Sequence, residues 1–217
     1  MAIEKVKRIL EIEADAIRNI PLGPDITRAV QAIHGCRGKV FTTGIGKAGY
    51  VAQKAASTFS TTGTPSVYIH PGDAPHGDIG VTAPGDILLT FSNSGKTREV
   101  IETVHFARHL GVETVITITA HRDSPLSEES DIVLELGHID EPCPLGLTPT
   151  ASTSAMIALA GTYGHGRTWL YQTGFCRSTS RWLPGQEIPR RRIVEELLRR
   201  HAHARRSEEH HLPPAAS

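Results

Sequence analysis

The stretch "TFSNSGKTREV", residues 90–100, gathers three hydroxyls (Ser92, Ser94 and Thr97) around Asn93 and Gly95, between an apolar strand-like run and a helix-like one. A loop of this kind suits a phosphate monoester. The glycine permits the turn, and hydroxyls together with the N–H groups of a helix start can surround the anion. Capping a helix takes one hydroxyl, so the clustering favours a ligand. A second Ser/Thr run, "TPTASTSA" at residues 148–155, holds Ser152 and Thr153, opens another helix-like segment, and could complete the cradle.

Upstream, "VFTTGIGKAGYVAQKA", residues 40–55, spells G-x-G-x-x-G through Gly44, Gly46 and Gly49. A dinucleotide site would need an acidic residue about 20 positions on to hold the ribose. The following strand instead runs into His70-Pro71-Gly72, with Asp73 beyond the turn. NAD binding is therefore disfavoured, and no cofactor is expected. Two readings of the glycines stay open: tight helix–strand packing, or a loop from which Lys47 reaches a phosphate or sugar oxygen.

These loops must be held by a scaffold, and the pattern supplies one. Strand-like runs "KVFTTG", "SVYIH", "GDILLTFS", "ETVITITA" and "DIVLELG" alternate with helix-like segments at 46–60, 97–110 and 150–160. Runs such as "ILLTF" are apolar on both faces, as a parallel sheet covered by helices on both sides requires. The expected fold is a three-layer α/β/α sandwich with a five-stranded parallel sheet. Two helices precede it, one carrying Ile3, Val6, Ile9, Leu10, Ile12 and Ile17 at helical spacing, the other at 25–33. Three divisions follow: N-terminal helices (1–38), the sandwich (39–187, divergent from 162), and a carboxy-terminal amphipathic helix at 190–200 with a disordered tail (188–217).

The bulk composition excludes several classes. Among 217 residues, Lys plus Arg (23) balances Asp plus Glu (23), so no net field draws nucleic acid or an anionic membrane. No apolar run approaches the ~20 residues of a membrane span, and the first residues lack the apolar core of a signal peptide. Cys36, Cys143 and Cys176 are read as reduced thiols, and the expected location is the cytoplasm.

The segments "GIGKAGYVAQKAASTFSTTGTPSVYIHPGDAPHGDIG", "SNSGKTREV" and "EPCPLGLTPTASTSA" together resemble the SIS (sugar isomerase) domain, and within it the D-arabinose 5-phosphate isomerases. The resemblance runs in order over residues 39–160. It implies interconversion of D-ribulose 5-phosphate and D-arabinose 5-phosphate through a cis-enediol, feeding synthesis of the lipopolysaccharide sugar Kdo. It also implies sites formed between subunits of a homo-oligomer, commonly a tetramer, with a small-molecule sugar phosphate as ligand. Such chemistry needs a base, a group that polarises the carbonyl, and an acid–base group for ring opening.

Carried over residue by residue, the resemblance assigns catalytic roles to Lys47, Glu99 and Glu141. Substrate binding falls to Gly46, Ser92, Asn93, Ser94, Gly95, Thr97, His76, Ser152 and Thr153. His70 and His76 could orient the sugar or hold an inhibitory divalent metal, while an obligatory metal site is not spelled. Plain alternatives stand beside these roles: a glutamate favoured by a helix start for Glu99, and a solvated lysine for Lys47. The resemblance fails toward the carboxy terminus. "YQTGF" survives at 171–175, but Leu183-Pro184-Gly185 stands where the family carries His-Pro-Gly, and His165 is no evident substitute. The expected form is one without the tandem CBS domains that many members carry. A sugar-phosphate-binding module without turnover is thus the second reading.

Overall fold

The computed structural model describes residues 2–145 and 148–170, with side chains described as far as residue 163. Two helices, α1 (Ala2–Arg18) and α2 (Pro24–Gly35), lead into a β/α alternation. It runs β1 (Val40–Thr43), α3 (Lys47–Thr61), β2 (Ser66–Tyr68), β3 (Ile87–Phe91), α4 (Arg98–His109), β4 (Thr114–Thr119), α5 (Pro125–Glu128), β5 (Ile132–Glu135) and α6 (Ala151–Leu170). The strands form one parallel sheet in the order β2-β1-β3-β4-β5. The expected α/β/α architecture is the one observed.

Strand alternation divides the core in two. Val40, Leu89, Phe91, Ile116, Ile118 and Leu134 face α2, α3 and α6, with Ala16 of α1 in the same cluster. Phe41, Leu88 and Val115 face α4, through Val100, Val104 and Ala107, and two short 3-10 turns between β2 and β3. Apolar side chains on both faces explain why the strands read as continuous apolar runs. The polar exceptions are satisfied: Thr90 Oγ1 lies 2.6 Å from Thr117 Oγ1, which lies 2.6 Å from Ser130 Oγ. Buried hydroxyls linked in this way avoid the cost of an unpaired polar group.

Two features differ from the sequence reading. α6 continues ten residues past the expected end at 160, to Leu170, through a stretch whose glycines hide the helical period. α5, a single turn capped by Ser124, which accepts from the Ser127 N–H, was too short to carry a period. The expectations for 171–217, including the helix at 190–200, the disordered tail and Leu183-Pro184-Gly185, lie outside the described residues, as does the His165 side chain.

α1 is amphipathic, but its apolar residues divide between two directions. Ala16 is buried and Ile12 packs against the core, whereas Ile3, Val6 and Leu10 are each more than half exposed. No helix among the described residues is long and apolar enough to cross a membrane.

Candidate functional site

The chain leaves β1 for β2 on one side, then returns to β3 on the other side of β1. The connections after β1 and β3 therefore diverge and leave a crevice at their carboxyl ends, where open parallel sheets bind ligands. A cavity of about 270 Å³ lies there. Its wall brings together Lys47, Ser92, Asn93, Ser94, Thr97, Ser152 and Thr153 from three separate segments, with an apolar side that includes Ile45, Phe91 and Met156.

The glycine loop forms one wall. Gly46 takes φ +61° as the residue before α3, a conformation that favours glycine, and this turn delivers Lys47 to the cavity. Gly44 and Gly49 serve packing: a Cβ on Gly49 would lie 2.7 Å from the Gly44 carbonyl oxygen, and one on Gly44 would lie 3.0 Å from that of Phe91. The Tyr68 hydroxyl donates to the Gly44 carbonyl at 3.0 Å from the end of β2, where a ribose-binding carboxylate would be required. Burial pushes its phenol pKa up, so it stays a donor. The glycine spacing thus reflects strand–helix contact plus one turn.

The second wall is the loop after β3, tied down at every step. Ser92 N–H extends the sheet to the Ile118 carbonyl at 3.1 Å, and the Asn93 carbonyl accepts from Ala120 N–H and from Thr119 Oγ1, each at 3.1 Å. Gly95 adopts φ +62°, and a Cβ there would sit 2.0 Å from Ser124 Oγ. Only glycine fits.

The hydroxyl protons can be followed one by one, since each hydroxyl has a single proton. Ser92 Oγ accepts from Gly95 N–H at 3.1 Å and shares one proton with Thr97 Oγ1 at 3.0 Å, which leaves the second proton of that pair unspent. Ser94 Oγ accepts from Lys96 N–H at 3.2 Å and keeps its own proton. Thr97 precedes α4 without capping it through its side chain, so the leading N–H groups of α4 stay available. This loop presents donors and the positive end of a helix dipole.

The third wall, the start of α6, is the reverse. Glu141 Oε2 accepts from the N–H groups of Thr150 (2.8 Å) and Ala151 (2.9 Å); Oε1 accepts from Ser152 N–H (3.1 Å) and from Ser152 Oγ. Burial works against the charge, but the bonds from Ser152 and from these amides outweigh it and hold the carboxyl below its ordinary pKa. Thr153 Oγ1 donates to the Thr150 carbonyl at 2.8 Å.

Several expected site residues do not line this cavity. Glu99 is exposed on the first turn of α4, and the main chain of Gly46 and Gly95 shapes loops without forming wall. His70 and His76 are exposed on the connection after the edge strand β2, and His70 Nδ1 accepts from Gly72 N–H at 3.1 Å. Among the described residues no group of three or more His, Cys, Asp or Glu is placed to hold a metal. The apolar wall escaped the sequence reading, because Phe91 and Met156 look like ordinary core positions there.

A second cavity, about 300 Å³, lies across the same loop, with Ser94, Lys96, His121, Arg122, Asp123 and Glu135 around it. Arg122 on its wall is already engaged: it donates to Asp25 at 2.9 Å and to the Val133 carbonyl at 3.0 Å.

A five-stranded parallel sheet with a donor-lined loop at its switch point is a scaffold suited to small anionic ligands. The SIS domain profile matches residues 33–164, and the chain belongs to this family. Two curated relatives are arabinose 5-phosphate isomerase KdsD of Yersinia pestis, 37% identical over 155 residues (70% of this chain, 47% of the relative), and KdsD of Pseudomonas aeruginosa, 36% identical over 159 residues (72% and 48%). The chain thus spans about half the length of the curated relatives it matches. Among solved structures, a Bacteroides fragilis protein provisionally assigned as a phosphosugar isomerase involved in capsule formation is 43% identical, with TM-score 0.73 over 78% of this chain and 92% of that one. The c3406 protein of E. coli CFT073, in complex with arabinose 5-phosphate, is 30% identical, with TM-score 0.74 over 79% and 92%.

Proposed function

We propose that the chain is a phosphosugar aldose–ketose isomerase acting on D-arabinose 5-phosphate and D-ribulose 5-phosphate, in the supply of Kdo. The observation that carries this reading is the polarity of the switch-point cavity. Unspent donors at Ser94, the Ser92–Thr97 pair and the start of α4 stand at one side, with Lys47 beside them. A phosphate takes those donors, and the uncharged polyol extends over Phe91 and Met156 toward α6. Relatives that carry the name arabinose 5-phosphate isomerase support the choice of sugar.

In the proposed reaction a base removes a proton from the carbon next to the carbonyl, giving a cis-enediol that is reprotonated at the neighbouring carbon. Lys47, exposed at the cavity wall, supplies a cation to stabilise the developing oxyanion. Glu99 is the proposed base. Because it is exposed and off the wall, it acts at a cavity completed by another copy of the chain, in the homo-oligomer that the family resemblance implies. Ile3, Val6 and Leu10 of α1 are apolar surface that such an assembly would cover.

A sugar-phosphate-binding module without turnover is the alternative, favoured by Leu183 where the family carries a histidine. Incubation with D-ribulose 5-phosphate, followed by NMR for D-arabinose 5-phosphate, separates the two. Turnover that Glu99→Gln abolishes is the expected result. Thermal stabilisation by the sugar phosphate with no product would make the protein a binding module.

A further inference from the structure

We infer that Glu141 is a positioning residue rather than an acid–base group: by taking the Ser152 proton it makes Ser152 an obligate acceptor that reads a sugar hydroxyl. The inference rests on the phosphosugar reading and assigns that site its direction. Glu141 does not line the cavity, and both its oxygens are occupied, two donors on each. A carboxylate offers about four lone-pair positions. None is left for a substrate proton. The amides of the first turn of α6 and the positive end of its dipole favour the ionised form, so the group stays a fixed anion.

The consequence falls on Ser152. It is 1% exposed and forms part of the cavity wall, with its only proton committed to Glu141. Toward the cavity it offers lone pairs alone. Thr153, also on the wall, has spent its proton on the Thr150 carbonyl. The α6 side of the cavity therefore accepts hydrogen bonds and repels phosphate oxygens, while the 92–97 side donates them. Helix α6 would have offered a second phosphate-binding N-terminus, and Glu141 fills it. A substrate with phosphate at one end and hydroxyls at the other enters in one orientation only.

Isothermal titration of the full chain with inorganic phosphate and with D-arabinose 5-phosphate tests this, using Glu141→Gln, Ser152→Ala and the double variant. Ser152→Ala removes the reading atom while leaving the three amide hydrogen bonds to Glu141 in place, so a failure of Glu141→Gln to fold leaves the inference testable. Ser152→Ala is expected to weaken sugar-phosphate binding about five- to tenfold, the worth of one hydrogen bond, with phosphate affinity within about twofold. The double variant should bind the sugar phosphate no more weakly than Glu141→Gln, because both changes act at one atom. In turnover of D-ribulose 5-phosphate, KM should rise while the pH profile of kcat keeps its position. Equal losses for phosphate and sugar phosphate would overturn the inference. So would a Glu141→Gln variant that binds the sugar normally and has lost a limb of its pH profile. A wild-type chain that binds both ligands without turnover defeats the isomerase reading alone, and the titrations still decide the role of Glu141. Failure of the wild type to bind either ligand sinks both.

Discussion

Helices α4 and α6 both begin at the same cavity, and their first turns are treated in opposite ways. The start of α4 has no side-chain cap and is preceded by hydroxyls with protons to give. The start of α6 is closed by the Glu141 carboxylate, which takes three amides and the Ser152 hydroxyl. Two helix dipoles aimed at a small cavity would favour anions throughout it. Neutralising one of them leaves a charged end and a neutral end, which suits a phosphosugar better than a diphosphate. A helix N-terminus is thus an anion site only where the sequence leaves it open.

The contrast can be broken most severely at Gly95. Gly95→Ala forces a side chain into a left-handed conformation and against Ser124, so the loop must shift. A loss of about 3 kcal/mol is expected in urea unfolding, the sum of the backbone strain and the overpacking, together with loss of phosphate binding. Unchanged stability would mean the loop is not held as described.

Next in size is the donor side itself. Ser94→Ala deletes a hydroxyl whose proton is unspent and whose removal leaves only the Lys96 N–H to find water. Phosphate affinity should fall about tenfold or more, as for a hydrogen bond to a charged group, while the melting temperature stays put. The same substitution at Thr153 should spare inorganic phosphate and cost sugar-phosphate affinity only a few-fold, roughly one modest hydrogen bond. If Thr153→Ala weakened phosphate as much as Ser94→Ala does, the division into two ends would be wrong.

The smallest expected effect lies in pH dependence. The folded-state pKa of Glu141 lies below its ordinary value of 4.5. Its contribution to stability is therefore fully present above about 4.5 and is lost as pH falls from there through the lower folded-state value. Glu141→Gln should flatten the acid limb of a stability-versus-pH curve in that window and leave its slope near neutrality unchanged. A limb that keeps its slope in the variant would mean the four hydrogen bonds do not hold the charged form.

Much of this was legible from residue order. The apolar runs at 87–91 and 114–119 could only be strands covered on both faces, and the order of strand and helix implied a parallel sheet. The hydroxyl cluster at 92–97 was readable because three hydroxyls exceed what one helix cap requires. The apolar wall was not readable, since Phe91 and Met156 are buried residues whether or not a ligand touches them. Nor was the course of α6 beyond 160, where glycines at 161, 164 and 166 weaken every local signal of a helix and the packing of the preceding turns carries it on. Glu141 shows the clearest divide. Its place among the candidate residues followed from family resemblance, but its partners are nine to eleven positions away along the chain.

Local periodicity, and the conformational freedom of single residues such as Gly95, were enough to set the kind of elements, their order and the presence of a hydroxyl-rich turn before α4. Which hydroxyls still have a proton to donate emerged only from the folded arrangement. That depends on the distance between groups far apart along the chain, Ser152 and Glu141 above all, and on how a loop folds back on itself, as between Ser92 and Thr97. A hydroxyl with one proton gives it to whichever acceptor the fold brings within reach.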